Sequence, residues 1–468
     1  MPISTLSVCA LIPTYNNAGT VIDVIQRTHQ YMEHIIVVND GSTDHTAQLL
    51  QTLSFHVTVI SYPQNKGKGH ALREGFREAQ RQHFTHVLTL DADGQHYPED
   101  IPSMLQVLRA NPCAMIVGSR QLQQENMPAR NTFANRFSNF WFTLQTGLHL
   151  PDTQTGMRIY PMRYMKGLSL LTSRYEAELE LLVFMAWANV RIIPVPIRVY
   201  YPPKEQRVSH FRPAYDFTRI SLLNTLLCLL AVVYGLPRRY CSTLLYILVF
   251  LTSAILLQPV VLFCLLFGRR SKACKRLFHT LFTAAAKAMT YMVGCHFTSR
   301  DSFRLSSAPT LYICNHQSLL DILILLSRSP RLLILTKGYV RRNPFFGLLV
   351  RYADFPTVED DMDSNISTLE PLIRQGYSLL VFPEGTRSPL GLPARFHKGA
   401  FYLAEHLHLP LQPLLLQGTG TILPKHQLHI YRGDFSLETL QPIASTDTDY
   451  RSLCKAYGRL YKQLFVLQ

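Results

Sequence analysis

Residues 242–267 form a run of 26 residues without a charge, interrupted only by Pro259, near the middle of a 468-residue chain. As a helix this run is long enough to cross a bilayer, so it divides the chain before any motif is considered. A second uncharged stretch, Ser221–Pro237, is about 17 residues long and either crosses or lies in the interface. P-R-R-Y-C stands between the two, and G-R-R-S-K-A-C-K-R follows them. Arginines at both ends leave the positive-inside rule undecided, although the later cluster is the denser. The expectation is a hairpin of central helices within residues 218–295 that returns both flanks, 1–217 and 296–468, to one side. A buried helix pair in a soluble core is the alternative. Leu277–Val293 reads as an amphipathic helix suited to resting on anionic headgroups.

The flanks are long enough to bury cores of their own. The formal charge of +15 does not gather in one long run, and several bases fall beside the apolar belt. Anionic lipid is therefore the partner this charge favours, and no nucleic acid is expected. Nine cysteines stand singly, without a C-x-x-C pair or a zinc-like spacing, as reduced thiols in a cytosolic setting would. Met1–Ala10 has neither a basic n-region nor an apolar h-region, so no cleaved signal peptide is expected.

In the first flank, apolar strands recur at Ser7–Ile12, His34–Val38, Val57–Ser61 and His86–Leu90, with helices near Thr20–Met32 and Gly69–Gln82 between them. This is the βαβ rhythm of a mostly parallel sheet covered by helices. The strand ends carry polar or glycine-rich turns. Asp40 is placed to accept hydrogen bonds from a base or ribose. N-K-G-K-G at 65–69 sets Lys66 and Lys68 beside glycines that let backbone approach a phosphate. Asp91 and Asp93 follow the strand His86–Leu90, where ligands bind in open α/β sheets, and two hard oxygen ligands there suit Mg²⁺ or Mn²⁺ on a diphosphate. Each of these, taken alone, is also an ordinary turn.

L-I-P-T-Y-N-N, V-V-N-D-G-S-T-D, N-K-G-K-G-H-A-L and L-D-A-D-G-Q-H-Y-P-E-D, in that order, resemble the nucleotide-sugar half of the family 2 inverting glycosyltransferases, above all the dolichyl-phosphate mannosyltransferase branch. The similarity continues to I-P-V-P-I at Ile193–Ile197. It implies a GT-A-like domain in which Pro13, Tyr15, Asn17 and Asp40 line the base and ribose pocket. Asp91 and Asp93 face the diphosphate, with Asp93 the more direct metal ligand. Arg158, with Arg207, His210 and Arg212, either closes over the phosphates or an anionic acceptor or is lipid-facing. An alcohol acceptor needs a general base, for which Asp152 is the first candidate and Glu178 the second; either also suits a structural role. A polyprenyl phosphate is already an anion and needs none.

In the second flank, Thr310–Cys314 reads as a strand that breaks into N-H-Q-S-L-L-D and an apolar helix. His316 and Asp321 are five apart, which is off the ideal spacing for one helix face, but a turn at the helix start lets the carboxylate reach the ring. Helix capping is the alternative for Asp321. V-F-P-E-G-T-R-S at Val381–Ser388 follows a strand at Ser378–Phe382, F-H-K-G-A adds Lys398, and Leu409–Gly418 is another buried strand. The order N-H-x-x-x-x-D, F-P-E-G-T-R-S, K-G-A and a proline-flanked strand resembles the lysophosphatidic acid acyltransferases. That resemblance implies a base at His316 oriented by Asp321, an anionic acceptor held by Gly385, Arg387 and Lys398, and Glu384 anchoring the loop. Ala353–Asp363 lacks the arginine usual between the first two motifs, and His397 replaces a frequent lysine, so a glycosylated or hydroxylated lipid suits the acceptor site as well as lysophosphatidic acid.

The expectation for the whole is an α/β chain: an N-terminal GT-A-like nucleotide-sugar domain, central membrane helices and a C-terminal α/β acyltransferase domain. It would be a bifunctional, divalent-cation-dependent transferase at the inner (cytoplasmic) membrane, multi-pass or hairpin, with its catalytic domains in the cytosol. Its partners would be a nucleotide-sugar donor, acyl carrier protein or coenzyme A carrying an acyl chain, and a lipid acceptor. In the alternative, only one domain is catalytic and the other binds lipid or acts as a scaffold.

Overall fold

A computed structural model describes the chain apart from residues 1–5, 121–128, 166–169, 201–212, 268–270, 293–295, 298–301, 344–346, 358–361, 389–392, 444–448 and 467–468. Arg207, His210 and Arg212 lie outside the described residues. The chain forms two compact units that divide between Tyr240 and Cys241.

The first unit is built on strands β1 (Val8–Thr14), β2 (Ile35–Asp40), β3 (Thr58–Tyr62), β4 (His86–Thr89), β5 (Met115–Arg120), β6 (Arg158–Pro161) and β7 (Ile192–Ile197). They form one sheet in the order β3-β2-β1-β4-β6-β5-β7. β1 to β4 are parallel, β6 runs antiparallel to both β4 and β5, and β7 is parallel to β5. Alternation along each strand divides the core. Cys9, Leu11, Ile36, Val38 and Val87 enter one layer, and Ala10, Ile12, Ile35, Val37 and Leu88 enter the other. Burial on both faces explains why β2 and β4 read as continuous apolar runs. The carboxyl ends of β1, β2 and β4 lie side by side at one edge of the sheet, and the motif turns follow them there.

The second unit holds β8 (His296–Phe297), β9 (Leu311–Cys314), β10 (Leu332–Ile334), β11 (Ser378–Val381), β12 (Leu411–Gln417) and β13 (Asp434–Thr439). The order is β10-β11-β9-β12-β13-β8, with β9 to β12 parallel and β13 antiparallel to β12. The helix Lys272–Met292 contributes Phe278 and Ala286 to this unit's core, with Phe278 edge-on to Tyr352 at 5.0 Å. Leu277, Leu281 and Tyr291 on the same helix are exposed. The amphipathic reading thus holds for a helix that starts earlier, and its apolar side is divided between core and solvent.

The expected hairpin turn is absent from P-R-R-Y-C. Thr218–Phe267 is one helix of 50 residues, long and apolar enough to cross a membrane. A π-helical turn over Ala231–Gly235 precedes Pro237, whose missing N–H is tolerated at the start of the α-helical stretch that follows. Arg239 is buried, not presented to headgroups, and donates to the Ala186 carbonyl at 2.9 Å. The proline and arginines that suggested a turn in the sequence are satisfied within the helix and by tertiary packing.

Candidate active sites

At the edge where β1, β2 and β4 end, charge is compensated by charge. Asp91 accepts from Lys68 Nζ at 2.6 Å, and Lys68 reaches Glu178 at 2.9 Å. Burial opposes the charge on Lys68, but the two carboxylates outweigh it and raise its pKa. Burial likewise opposes ionisation of Asp91, yet Lys68 and His96 hold its carboxyl below the ordinary range. A Cβ at Gly156 would stand 2.3 Å from Asp91 Oδ2, so glycine is what admits the carboxylate there. Asp93 is exposed and accepts the Gln95 amide at 2.9 Å.

His96 is buried, with Nδ1 3.9 Å from Asp91 Oδ2 and without a hydrogen-bond partner. Its Nε2 lies 3.4 Å from Thr155 Oγ1. Among the described residues no three His, Cys, Asp or Glu side chains form a ready metal cage. The donor set nevertheless fits Mg²⁺ or Mn²⁺, which are commonly held by one or two carboxylates with substrate phosphates completing the shell. Asp91 and Asp93 would supply the carboxylates, and the buried His96 Nδ1, which has no hydrogen-bond partner, lies beside Asp91.

Pro13 is buried at the end of β1, and Tyr15 and Asn17 follow half-buried. Asp40 faces inward: its carboxylate accepts the Lys66 and Gly67 amides, each at 2.8 Å, and so shapes the loop that carries Lys66 and Lys68. Lys66 is exposed, with its ammonium 5.4 Å from the centre of the Tyr62 ring. Asp152 is buried and held by Arg120 through both oxygens, at 2.6 and 2.9 Å. Burial works against its charge, but Arg120 keeps its pKa below the ordinary carboxylate value. Arg158 is fully buried and donates to the carbonyls of Thr155 (2.7 Å), Glu178 (2.6 Å) and Thr153 (2.9 Å). These bonds spend the guanidinium on the floor of the site, whereas the sequence reading had it close over phosphates or an acceptor. Lys68 as a bridge and Arg120 as a partner were missed; both contacts join residues far apart in the chain, and only the basic residue in G-K-G hinted at the first.

The second unit compensates charge with backbone amides. Ser318 and Asp321 form a reciprocal capping box on the helix Leu319–Leu326. The same Asp321 Oδ2 accepts from Gln317 N (2.7 Å) and Ser318 N (2.8 Å) and lies 2.8 Å from His316 Nδ1. Capping and histidine orientation, alternatives in the sequence, are both performed by one carboxylate. The ring stacks on Phe382 at 4.2 Å, a neighbour the motifs did not announce.

Glu384 is buried, accepting His316 N at 2.8 Å and Ala394 N at 2.9 Å. Burial pushes its pKa up to about 7. The Ser388 amide donates to the His316 carbonyl at 2.7 Å, closing the loop that carries Gly385 and Arg387 onto the histidine. Gly385 is exposed, and His397 Cδ2 lies 3.2 Å from where its Cβ would be. Lys398 is exposed at the start of the helix Gly399–His406.

The two α/β units are those of a transferase. Residues 9–168 match the family model for glycosyl transferase family 2, and residues 281–417 match that for acyltransferases. The UDP-N-acetylglucosamine–dolichyl-phosphate N-acetylglucosaminyltransferase of Methanococcus voltae is 31% identical over 213 residues, which cover 41% of this chain and 84% of that protein. Glycosyltransferase AglJ of Haloferax volcanii is 30% identical over 213 residues, covering 45% of this chain and 68% of the relative. The 1-acyl-sn-glycerol-3-phosphate acyltransferase of Cocos nucifera is 28% identical over 186 residues, 38% of this chain and 60% of that enzyme, so less than two thirds of its length is spanned. The chain belongs to glycosyl transferase family 2 and joins that domain to one of the acyltransferase family.

Proposed function

We propose that the protein is a membrane-bound bifunctional transferase. It moves a sugar, with inversion, from a nucleotide-sugar donor to a lipid-linked acceptor. It also moves an acyl chain from acyl carrier protein or coenzyme A to a hydroxyl of a lipid or glycolipid. The domains are taken as 1–217, 218–295 and 296–468, with the middle segment at the cytoplasmic (inner) membrane. One chain carrying both sites raises the effective concentration of a shared lipid intermediate.

The observation that carries the acyl-transfer reading is the 2.8 Å contact between His316 Nδ1 and Asp321. It fixes the ring so that Nε2 is the basic nitrogen. Nε2 takes the proton of the acceptor hydroxyl, whose oxygen attacks the thioester carbonyl. The carbon–sulfur bond breaks, and the departing thiolate recovers the proton from His316. In the sugar-transfer site, a divalent cation held by Asp91 and Asp93 would neutralise charge on the departing nucleoside diphosphate. Asp152 and Glu178 are both paired with cations. That pairing supports an acceptor already ionised, of the polyprenyl phosphate class, as does the dolichyl-phosphate named for the Methanococcus relative.

Mass spectrometry of membrane lipids from cells carrying wild type, Asp93→Ala and His316→Ala at matched protein levels tests both halves. Loss of all glycosylated product with Asp93→Ala, and accumulation of a glycosylated, under-acylated lipid with His316→Ala, is expected if sugar is added first. An unchanged profile withdraws the reading for the corresponding domain.

A further inference from the structure

β12 ends at Gln417, and the chain turns at Gly418 with φ at +85°, where a Cβ would stand 2.1 Å from the Asp434 carbonyl oxygen. Glycine alone meets both demands. The segment around this turn is bonded to both loops of the acyl-transfer site. Leu416 exchanges two hydrogen bonds with the Asn315 side chain, at 2.7 and 2.8 Å, and Ser318 Oγ donates to the Leu423 carbonyl at 2.9 Å. Lys425 Nζ donates to the Arg387 carbonyl at 2.8 Å. One residue further on, the Ser388 amide is bonded to the His316 carbonyl. Lys425 therefore stands on the loop that adjoins the base, yet it lies outside residues 281–417, which match the acyltransferase model.

Lys425 is half-buried, and among the described residues no carboxylate forms an ion pair with it or with Arg387. The contact sets an ammonium against the backbone of the loop that carries a second cation, and like charges on adjoining segments favour an anion between them. The ammonium has three donors and the carbonyl takes one, so two remain for a ligand. A phosphate, with several acceptor oxygens, matches a lysine and an arginine carried on adjoining segments.

We propose that Lys425 is an anion-binding residue of the acyl-transfer site, acting with Arg387 on a phosphate-class group of one substrate. This rests on the acyl-transfer reading above. The phosphate belongs either to the acceptor headgroup or to the carrier of the acyl donor, and the two sources are separable.

Purified full-length protein in detergent is titrated calorimetrically with hexanoyl-lysophosphatidate, hexanoylglycerol and coenzyme A. Lys425→Ala is expected to weaken one of the two phosphate-bearing probes by about tenfold or more, as loss of a charge-assisted hydrogen bond does. Hexanoylglycerol binding and the unfolding temperature stay unchanged, and Lys425→Arg recovers most of the affinity. A loss confined to lysophosphatidate places the anion on the acceptor; a loss confined to coenzyme A places it on the donor. Equal weakening of all three probes shows a structural lysine and overturns the proposal, as does unaltered binding of both phosphate probes. Oleoyl transfer by His316→Ala reports separately on the acyl-transfer reading, because anion binding does not need the base.

Discussion

The two sites solve the same problem, a buried carboxylate given partners, with different materials. In the first unit Asp91, Asp152 and Glu178 are matched by Lys68 and Arg120, so side-chain charges are paired with side-chain charges. In the second, Asp321 is held by two backbone amides at a helix start and by a histidine ring. A paired charge leaves its partner stranded when removed, whereas backbone donors at a helix start tolerate an amide in place of the carboxylate. The first site should therefore lose fold and function together, and the second should lose function alone.

The largest effect is expected from Asp321→Asn. The amide can still cap the helix, so stability falls by about 1 kcal/mol, while control of the His316 tautomer is lost. Acyl transfer should drop on the order of 10³-fold or more, with sugar transfer untouched. A fall of less than tenfold would mean that the aspartate serves the helix and not the base.

Lys68→Met should show the opposite signature. Asp91 and Glu178 lose their shared cation within a mostly buried site, at a cost of about 3 kcal/mol or more, and a lowered unfolding temperature accompanies lost sugar transfer. Normal stability in this variant would erase the contrast between the sites. Gly156→Ala is milder. Its Cβ must displace the Asp91 carboxylate, at about 1–3 kcal/mol, and sugar transfer falls while acyl transfer holds.

The effects of pH leave both activities in place and are read in stability alone. Burial raises Glu384 to about 7 in the folded protein. Between about pH 4.5 and 7 the folded state therefore holds a proton that the unfolded chain releases, and stability declines as pH rises through that window. Burial lowers His86 in the first unit to about 4. Below about pH 6.5 the unfolded chain takes up a proton that the folded one refuses, so stability is lost as pH falls toward 4. Thermal melts across pH should lose the first slope in Glu384→Gln and the second in His86→Phe. Persistence of either slope would assign it to another group.

The β1, β2 and β4 strands were legible because a sheet buried on both faces demands short β-branched runs, and polar turns mark where they stop. His316 with Asp321 was nearly legible, because both lie within one helix start and only the cap geometry was undecided. The Arg120–Asp152 pair was not, because it joins the end of β5 to a turn 32 residues later. The hairpin expected at P-R-R-Y-C failed for a related reason. Proline and arginine mark turns and headgroups only when nothing else satisfies them, and here a π-helical turn and the Ala186 carbonyl do.

The sequence by itself determined that two transferase families share the chain and that an apolar segment stands between their motifs. Local periodicity and motif order are properties of neighbouring residues, and they survive without a fold. Only the tertiary structure decided which charged groups are spent on one another. Asp40 shapes a loop, Arg158 floors a site, Lys68 bridges two acids and Lys425 joins the second site from outside its motifs. Compensation of buried charge is set by distances between residues far apart in the chain, and packing alone fixes those distances.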